Sequence, residues 1–167
     1  MSYQPTLFDD EGEWPPVHIL VSLMPQYAHL LVHGKKRYEY RRGKFIDKPA
    51  TAYVYATRPK SREDVGLPSA QVVAVVKLGA PRIGIDEAVR AKEEEQTGSE
   101  QMMREWLRGF TTASTHPIEA VHVLDEPIEL DELPRQFPGF HPPQRYLILN
   151  RNRPLLEFLK YRSGLDS

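Results

Sequence analysis

Gly34 imposes the first constraint on this chain. The run Pro25 to His33 opens with a proline, which suits a first helical turn because its missing N–H has no partner there anyway, and ends at a glycine. A glycine after a short helical run suits the left-handed residue that stops a helix. Beyond it the chain reads Gly-Lys-Lys-Arg-Tyr-Glu-Tyr-Arg-Arg from Gly34 to Arg42. That composition at a helix-to-strand corner makes either a charged ribbon in water or the wall of an anion-binding cleft. We read it as the cleft.

The 167 residues suffice for one domain with a core, since a domain of this size buries roughly 70% of its unfolded surface. No apolar run approaches the ~18 residues of a membrane span, and Met1 to Trp14 is acidic and polar. The expectation is a cytoplasmic protein. The absence of cysteine removes disulfides, thiolate metal sites and cysteine nucleophiles. A net charge of −1 creates no long-range field for polyanions, but the distribution is uneven. Residues 35–62 hold ten Lys or Arg against Glu39 and Asp47, residues 119–132 hold six acids and no Lys or Arg, and Arg135 to Arg162 form a second basic segment. Either the basic segments share a face or the charge is spread over several.

Residues 1–16 read as an acidic tail closed by Pro15 and Pro16. Within it Gln4, Leu7 and Phe8 resemble the short peptide by which bacterial proteins dock on the DNA sliding clamp, although Pro5 departs from the commoner leucine. The alternative is a tail whose Leu7 and Phe8 pack on the domain.

Val17 to Leu23 predicts a buried strand, and Tyr27, Leu30 and Leu31 at i, i+3 and i+4 predict the buried stripe of the following helix. From Arg37 the pattern turns to period two and resumes at Ala52 to Thr57, with Gly43 to Pro49 as a loop. Arg58 to Pro68 reads as an exposed connection, and Ala70 to Leu78 as the central strand. Ile85 to Gln96 and a segment after Ser99, with Met102, Met103, Trp106, Leu107 and Phe110 at helical spacing, predict two helices with that stripe as core. His116 to Leu124 predicts a strand, Pro127 to Pro143 a proline-rich crossing, Arg145 to Leu149 a short strand and Pro154 to Tyr161 a closing helix.

The order strand, short helix, Gly34-x-Lys36-x-x-Glu39-x-Arg41, then a strand ending in Tyr53-x-Tyr55-Ala56-Thr57, resembles the ASCH domain of the PUA-like group. Flanking matches are Ser22-Leu23 with Pro25, Tyr27-Ala28, Ala56-Thr57 with Pro59, Glu126-Pro127-Ile128 with Leu130 and Leu133, and Pro142-Pro143-Gln144 before Arg145-Tyr146. They match the branch often described as predicted transcriptional regulators. Met24 stands where many relatives carry lysine, and the last helix lies beyond the shared domain. The resemblance implies an α+β fold, a small, mostly antiparallel PUA-like β-barrel with flanking helices. The domain would span residues 17–150 with a helical insertion at about 84–110, followed by a helix and tail at 151–167. It also implies binding of RNA or a nucleotide in a cleft beside the corner.

On a strand Arg37, Glu39 and Arg41 share one face, and Tyr38, Tyr40 and Arg42 the other. As a binding site, Lys36 and Arg41 would hold phosphate, Glu39 would accept from an exocyclic amine, and Tyr38, Tyr40, Tyr53 or Tyr55 would stack on an unpaired base, although Tyr27, Tyr53 and Tyr55 read more readily as core. The candidate ligand set is Ser22, Gly34, Lys36, Glu39, Arg41, Arg42, Thr57, Arg58 and Arg145, with single-stranded RNA or a modified nucleoside or nucleotide as partner. As a hydrolase of RNA or N-acylated nucleosides, Lys36 would serve as base and Glu39 would handle a proton on the leaving group. Glu39 opposes that use by favouring the charged ammonium. The family's amidohydrolase branch has threonine at the position matching Glu39, so its mechanism does not transfer. The bland alternative is a salt-bridge ladder of Lys36, Glu39 and Arg41 bracing the corner. His29 and His33, four apart on one helix, lack a third ligand, and neither a metal nor a cofactor is expected.

Overall fold

The computed structural model describes residues 16–165, so Gln4, Leu7 and Phe8 lie outside the described residues. The described residues divide into two compact units: 16–35, 50–77 and 120–165 belong to the first, and 36–49 and 78–119 to the second.

In the first unit β1 (His18–Leu23) runs parallel to β3 (Ala50–Ala56) and antiparallel to β7 (Tyr146–Ile148). On its other side β3 neighbours β4 (Gln71–Leu78), and β4 neighbours β6 (Ala113–Glu129), whose residues from Ala120 onward belong to this unit. Every residue of β1 and β3 is buried, which explains near-continuous apolar runs where one-sided strands would alternate. Leu20, Tyr53, Tyr55, Val72, Val75, Leu124 and Ile128 meet Leu155, Leu156 and Leu159 of α5 (Arg153–Ser163) in one core. Each such aliphatic side chain contributes roughly 1.5–3 kcal/mol on burial. Tyr53 and Tyr55 are therefore core residues and not stacking surfaces.

Helix α1 (Pro25–Val32) starts at the proline and ends where Gly34 takes φ +70°. The amides of Gly34 and Lys35 donate to Leu31 O and Leu30 O, 3.1 and 2.9 Å away, closing the last turn. Its buried residues are Pro25, Ala28 and Leu31, whereas Tyr27 and Leu30 are 44% and 38% exposed. Of the expected stripe Leu31 is buried, while Tyr27 and Leu30 are not, because the helix turns the Pro25, Ala28, Leu31 line inward.

The proline-rich crossing is also corrected. Strand β6 continues through Pro127 to Glu129, where Leu130 N donates to Ala70 O beyond the start of β4, and α4 (Glu132–Gln136) follows. Proline removes a donor but keeps its carbonyl, so a strand tolerates it where only an acceptor is required.

In the second unit β2 (Tyr38–Arg42) and β5 (Arg82–Ile83) both pair antiparallel with the first residues of β6. Helices α2 (Ile85–Glu95) and α3 (Glu100–Trp106) carry Ala88, Val89, Met103 and Leu107 into a small core with Ala113 and Tyr40. Ser99 caps α3 by accepting from Met102 N. Met103 and Leu107 are buried as expected of the stripe, but Met102, Trp106 and Phe110 are 47%, 38% and 40% exposed. Among the described residues, no helix is long and apolar enough to cross a membrane.

Candidate functional site

The register of β2 on β6 sorts the signature residues between two faces of the second unit. Tyr38, Tyr40 and Arg42 stand opposite Pro117, Thr115 and Ala113, while Glu39 and Arg41 stand opposite His116 and Ser114. Directly opposed residues of an antiparallel pair project to the same side.

The first face is closed by the helices. Tyr38 Oη donates to Glu94, 3.0 Å away, and Tyr40 Oη donates to Glu95. Arg82 from β5 donates to Glu87 at 2.8 Å and to Glu94 at 3.0 Å. Burial, and next the hydrogen bond to Glu95, push the Tyr40 phenol above its ordinary range. Hydrogen bonds from Arg82 and then Tyr38 hold the Glu94 carboxyl below its usual value. Both tyrosine hydroxyls thus hold α2 against the strand, which turns these rings away from the stacking role expected of them. Arg42, on this same face, lies over the rings of Trp106 and Phe110, 5.2 Å from each centroid.

The opposite face holds the charged set. Glu39 is 6% exposed. Arg41 Nε lies 3.2 Å from its Oε1, and Lys36 Nζ 3.8 Å from its Oε2. The two cationic side chains are themselves 13% and 12% exposed. Lys36 Nζ also donates to Tyr38 O at 2.8 Å, which fixes its direction as the chain leaves the Gly34 corner. The Arg41 guanidinium sits 5.3 Å from the Phe45 centroid, and Phe45 meets the His116 ring edge-on at 5.5 Å. His116 is fully buried, with Nδ1 2.9 Å from Gly79 O and Nε2 3.1 Å from Ile46 O. An N–H donates to such an oxygen from whichever nitrogen carries the proton. Sequence reasoning missed His116, because its spacing in the strand marks nothing and its two carbonyl partners come from separate loops.

This set holds two cations against one carboxylate, sheltered from bulk water. In so small a volume of reduced dielectric a charge interacts with its neighbours several-fold more strongly than it would in water. An anion able to take the place of Glu39 on Lys36 and Arg41 would meet a fork of N–H donors and a point charge already in position.

The remaining sequence candidates lie in the first unit. Ser22 Oγ donates to Pro143 O at 2.7 Å, and Ser22 N to Arg145 O at 3.1 Å, so this serine ties β1 to the closing segment. Thr57 is half-buried, and Arg58, Arg145 and Gly34 are exposed. Another residue of this unit escaped notice: Asp64, expected in an exposed connection, is completely buried. Its carboxylate accepts from Gln26 N at 3.3 Å and Lys60 N at 3.0 Å, satisfying a free amide of the first turn of α1. His29 and His33 contact each other edge-on, and no cluster of three or more potential metal ligands exists among the described residues.

No protein-family model matches the sequence. The chain is, however, 34% identical over 129 residues to an ASCH domain-containing ribonuclease of Zymomonas mobilis, an alignment covering 75% of this chain and 79% of that protein. This chain belongs to the ASCH domain family. Solved structures agree. This ASCH protein is similar to the crystal structure of ASCH from Zymomonas mobilis, with 27% identity and a TM-score of 0.64 over 84% of this chain and 94% of that one. A serine-to-alanine variant of the same protein gives 26% identity and a TM-score of 0.69 over 87% and 96%. The fold is the α+β, PUA-like one of these ASCH structures, with the parallel β1–β3 pair making its sheet mixed.

Proposed function

We propose that this ASCH protein acts on RNA as a phosphodiester hydrolase, with Lys36, Glu39 and Arg41 as its working groups. The observation that carries the proposal is the sheltered Glu39 carboxylate lying between two cations on one strand face. The ribonuclease name of the Zymomonas mobilis relative supports RNA as the substrate class. Chemistry favours the same choice. A phosphodiester is a monoanion that fits the space between an ammonium and a guanidinium, and its approach releases the carboxylate that both had been holding.

In the proposed step the phosphate oxygens replace Glu39 on Arg41 and Lys36. The freed carboxylate takes the proton of the attacking hydroxyl, whether a ribose 2′-OH or water, as the new P–O bond forms. The Lys36 ammonium gives a proton to the departing 5′ oxygen as the old P–O bond breaks. Arg41 holds the charge that gathers on the non-bridging oxygens. These roles reverse those of the sequence reading, in which Lys36 is the base. Lys36 Nζ already donates to the Tyr38 carbonyl and faces the Glu39 carboxylate, and it therefore serves as the proton donor of the proposed step.

The test is incubation of the full chain with a single-stranded RNA and separation of the products. Lys36→Met and Glu39→Gln are each expected to lower the cleavage rate by about 10²–10⁴-fold, the usual worth of a positioned acid or base. Arg41→Met is expected to weaken RNA binding as well. Saturable binding by the unaltered protein without any product would leave a binding module in place of the enzyme. The absence of both would remove RNA as the ligand.

A further inference from the structure

The inward face of α2 carries a lysine where its small core calls for an apolar side chain. Ala88 and Val89 are buried there with Ile85 packed beside them, and Lys92 stands four residues after Ala88 and three after Val89, in the middle of the same stripe. The residue is half-buried. Its stem lies close against the turn that leads to α3, where a Cβ on Gly98 would stand 3.1 Å from Lys92 Cε. Its ammonium sits 5.0 Å from the centroid of the Tyr40 ring.

A second cation lies near that ring, with Lys36 Nζ 5.6 Å from its centroid. The ladder explains how one lysine reaches both faces of β2. Arg37 O accepts from Ile118 N and Gly43 N donates to Thr112 O, so the odd-numbered residues bond to β6 and Tyr38 turns its carbonyl to the other edge. Lys36 Nζ is hydrogen-bonded to that carbonyl, with the Glu39 carboxylate on one side and the Tyr40 ring on the other. Arg41, Lys36 and Lys92 thus follow one another from the Glu39 face, around the edge of β2, to the face that α2 covers. Glu39 matches the first two. Among the described residues Lys92 makes no hydrogen bond or ion pair. The nearby Glu95 carboxylate accepts from Tyr40 Oη and from Arg37 N instead. Burial lowers the Lys92 amine below its ordinary range against the attraction of Glu95, and the Lys36 ammonium lowers it further.

We propose that Lys92 holds the phosphate next along the RNA strand from the one seated on Lys36 and Arg41, so that the preferred substrate is a strand with two consecutive phosphates. The inference rests on the RNA reading above and specifies the substrate of that same site. A half-buried amine with a second cation beside it and no anion in contact gains most from an anion brought to it. A nucleic-acid strand brings one at a fixed spacing. Once its first phosphate is bound, the second arrives as part of the same molecule and at a high effective concentration, an advantage that a lone small anion lacks. The contact is made to phosphate alone, so it selects for strand length and not for base sequence.

The probes are 2′-O-methylated uridine trinucleotides, which lack the attacking 2′ hydroxyl. One carries two phosphodiesters, and in two others the first or the second linkage is an uncharged methylphosphonate. Calorimetric titration of the full chain is expected to show the doubly charged strand bound about 10-fold more tightly than either singly charged one, the worth of one hydrogen bond between charged groups. Lys92→Gln is expected to remove that preference, and Lys92→Arg to retain most of it. For the doubly charged strand, Lys92→Gln is also expected to make the slope of log affinity against log salt shallower by about 0.7, the amount expected for one phosphate contact on a single strand. Equal affinity of the parent for all three strands, or a Lys92→Gln protein that keeps the preference, overturns the inference and leaves the RNA reading intact. A loss of the same size on all three strands assigns Lys92 to packing beneath α2 and likewise overturns it. Failure of the parent to bind any of the strands overturns both readings.

Discussion

Glu39 and His116 stand directly opposite each other on β2 and β6, a buried carboxylate beside a buried imidazole on one face of the ladder. The carboxylate is held by Lys36 and Arg41, and the imidazole by the carbonyls of Gly79 and Ile46. Phe45 spans the two sets by touching both Arg41 and His116. The charged face is thereby backed by a polar core in which each group holds another in position.

Removing one partner of a buried ion pair leaves the others uncompensated, at a cost of about 3–5 kcal/mol. Glu39→Ala is expected to lose stability in that range, read as a lowered midpoint of urea unfolding with unchanged slope. Glu39→Gln keeps the shape and a hydrogen-bonding oxygen, and is expected to lose less. A Glu39→Ala protein as stable as the parent would show that Lys36 and Arg41 are held independently of the carboxylate.

His116→Phe keeps a ring beneath Phe45 but no donor for Gly79 O or Ile46 O. The expected cost is about 1–3 kcal/mol for a buried acceptor left without a donor. Because Ile46 lies in the loop after Gly43, amides of residues 44–49 are expected to exchange faster in this variant while those of β3 do not. Uniform acceleration across the chain would mean that His116 supports the whole fold and not the loop.

Asp64 predicts a different signature. Its carboxylate serves two backbone amides, Gln26 N and Lys60 N, without a cation as partner in those bonds. Asp64→Ala is expected to cost about 1–2 kcal/mol, the usual value of a lost cap, with faster exchange at Gln26 and Lys60. Asp64→Asn retains an acceptor oxygen and is expected to restore most of it.

The Tyr40 phenol sets a pH limit. Its folded value is raised, first by burial and then by its hydrogen bond to Glu95, so the folded state keeps a proton that the unfolded chain gives up near pH 10. Stability from this group is complete below about pH 10 and declines as pH rises toward the folded value, since the unfolded chain then binds fewer protons. Tyr40→Phe is expected to flatten the alkaline fall in thermal midpoint between about pH 9.5 and 11. An equally steep fall in the variant would place its origin elsewhere.

What the sequence determined by itself was local. Pro25 and Gly34 delimit α1, Ser99 caps α3, and the runs at β1, β3 and β4 read as strands, because caps, turns and hydrophobic period are properties of neighbouring residues. The Gly34-x-Lys36-x-x-Glu39-x-Arg41 motif pointed to the ASCH family on the same footing. Tertiary structure alone decided which residues those elements meet. It set His116 against Glu39, buried Asp64 under the start of α1, left Tyr27 in water and gave Tyr38 and Tyr40 to the helix carboxylates. The physical reason is that a strand's alternation fixes two faces but not what covers either one. The register of β2 on β6 and the packing of α2 join segments far apart in the chain, and no local pattern encodes that choice.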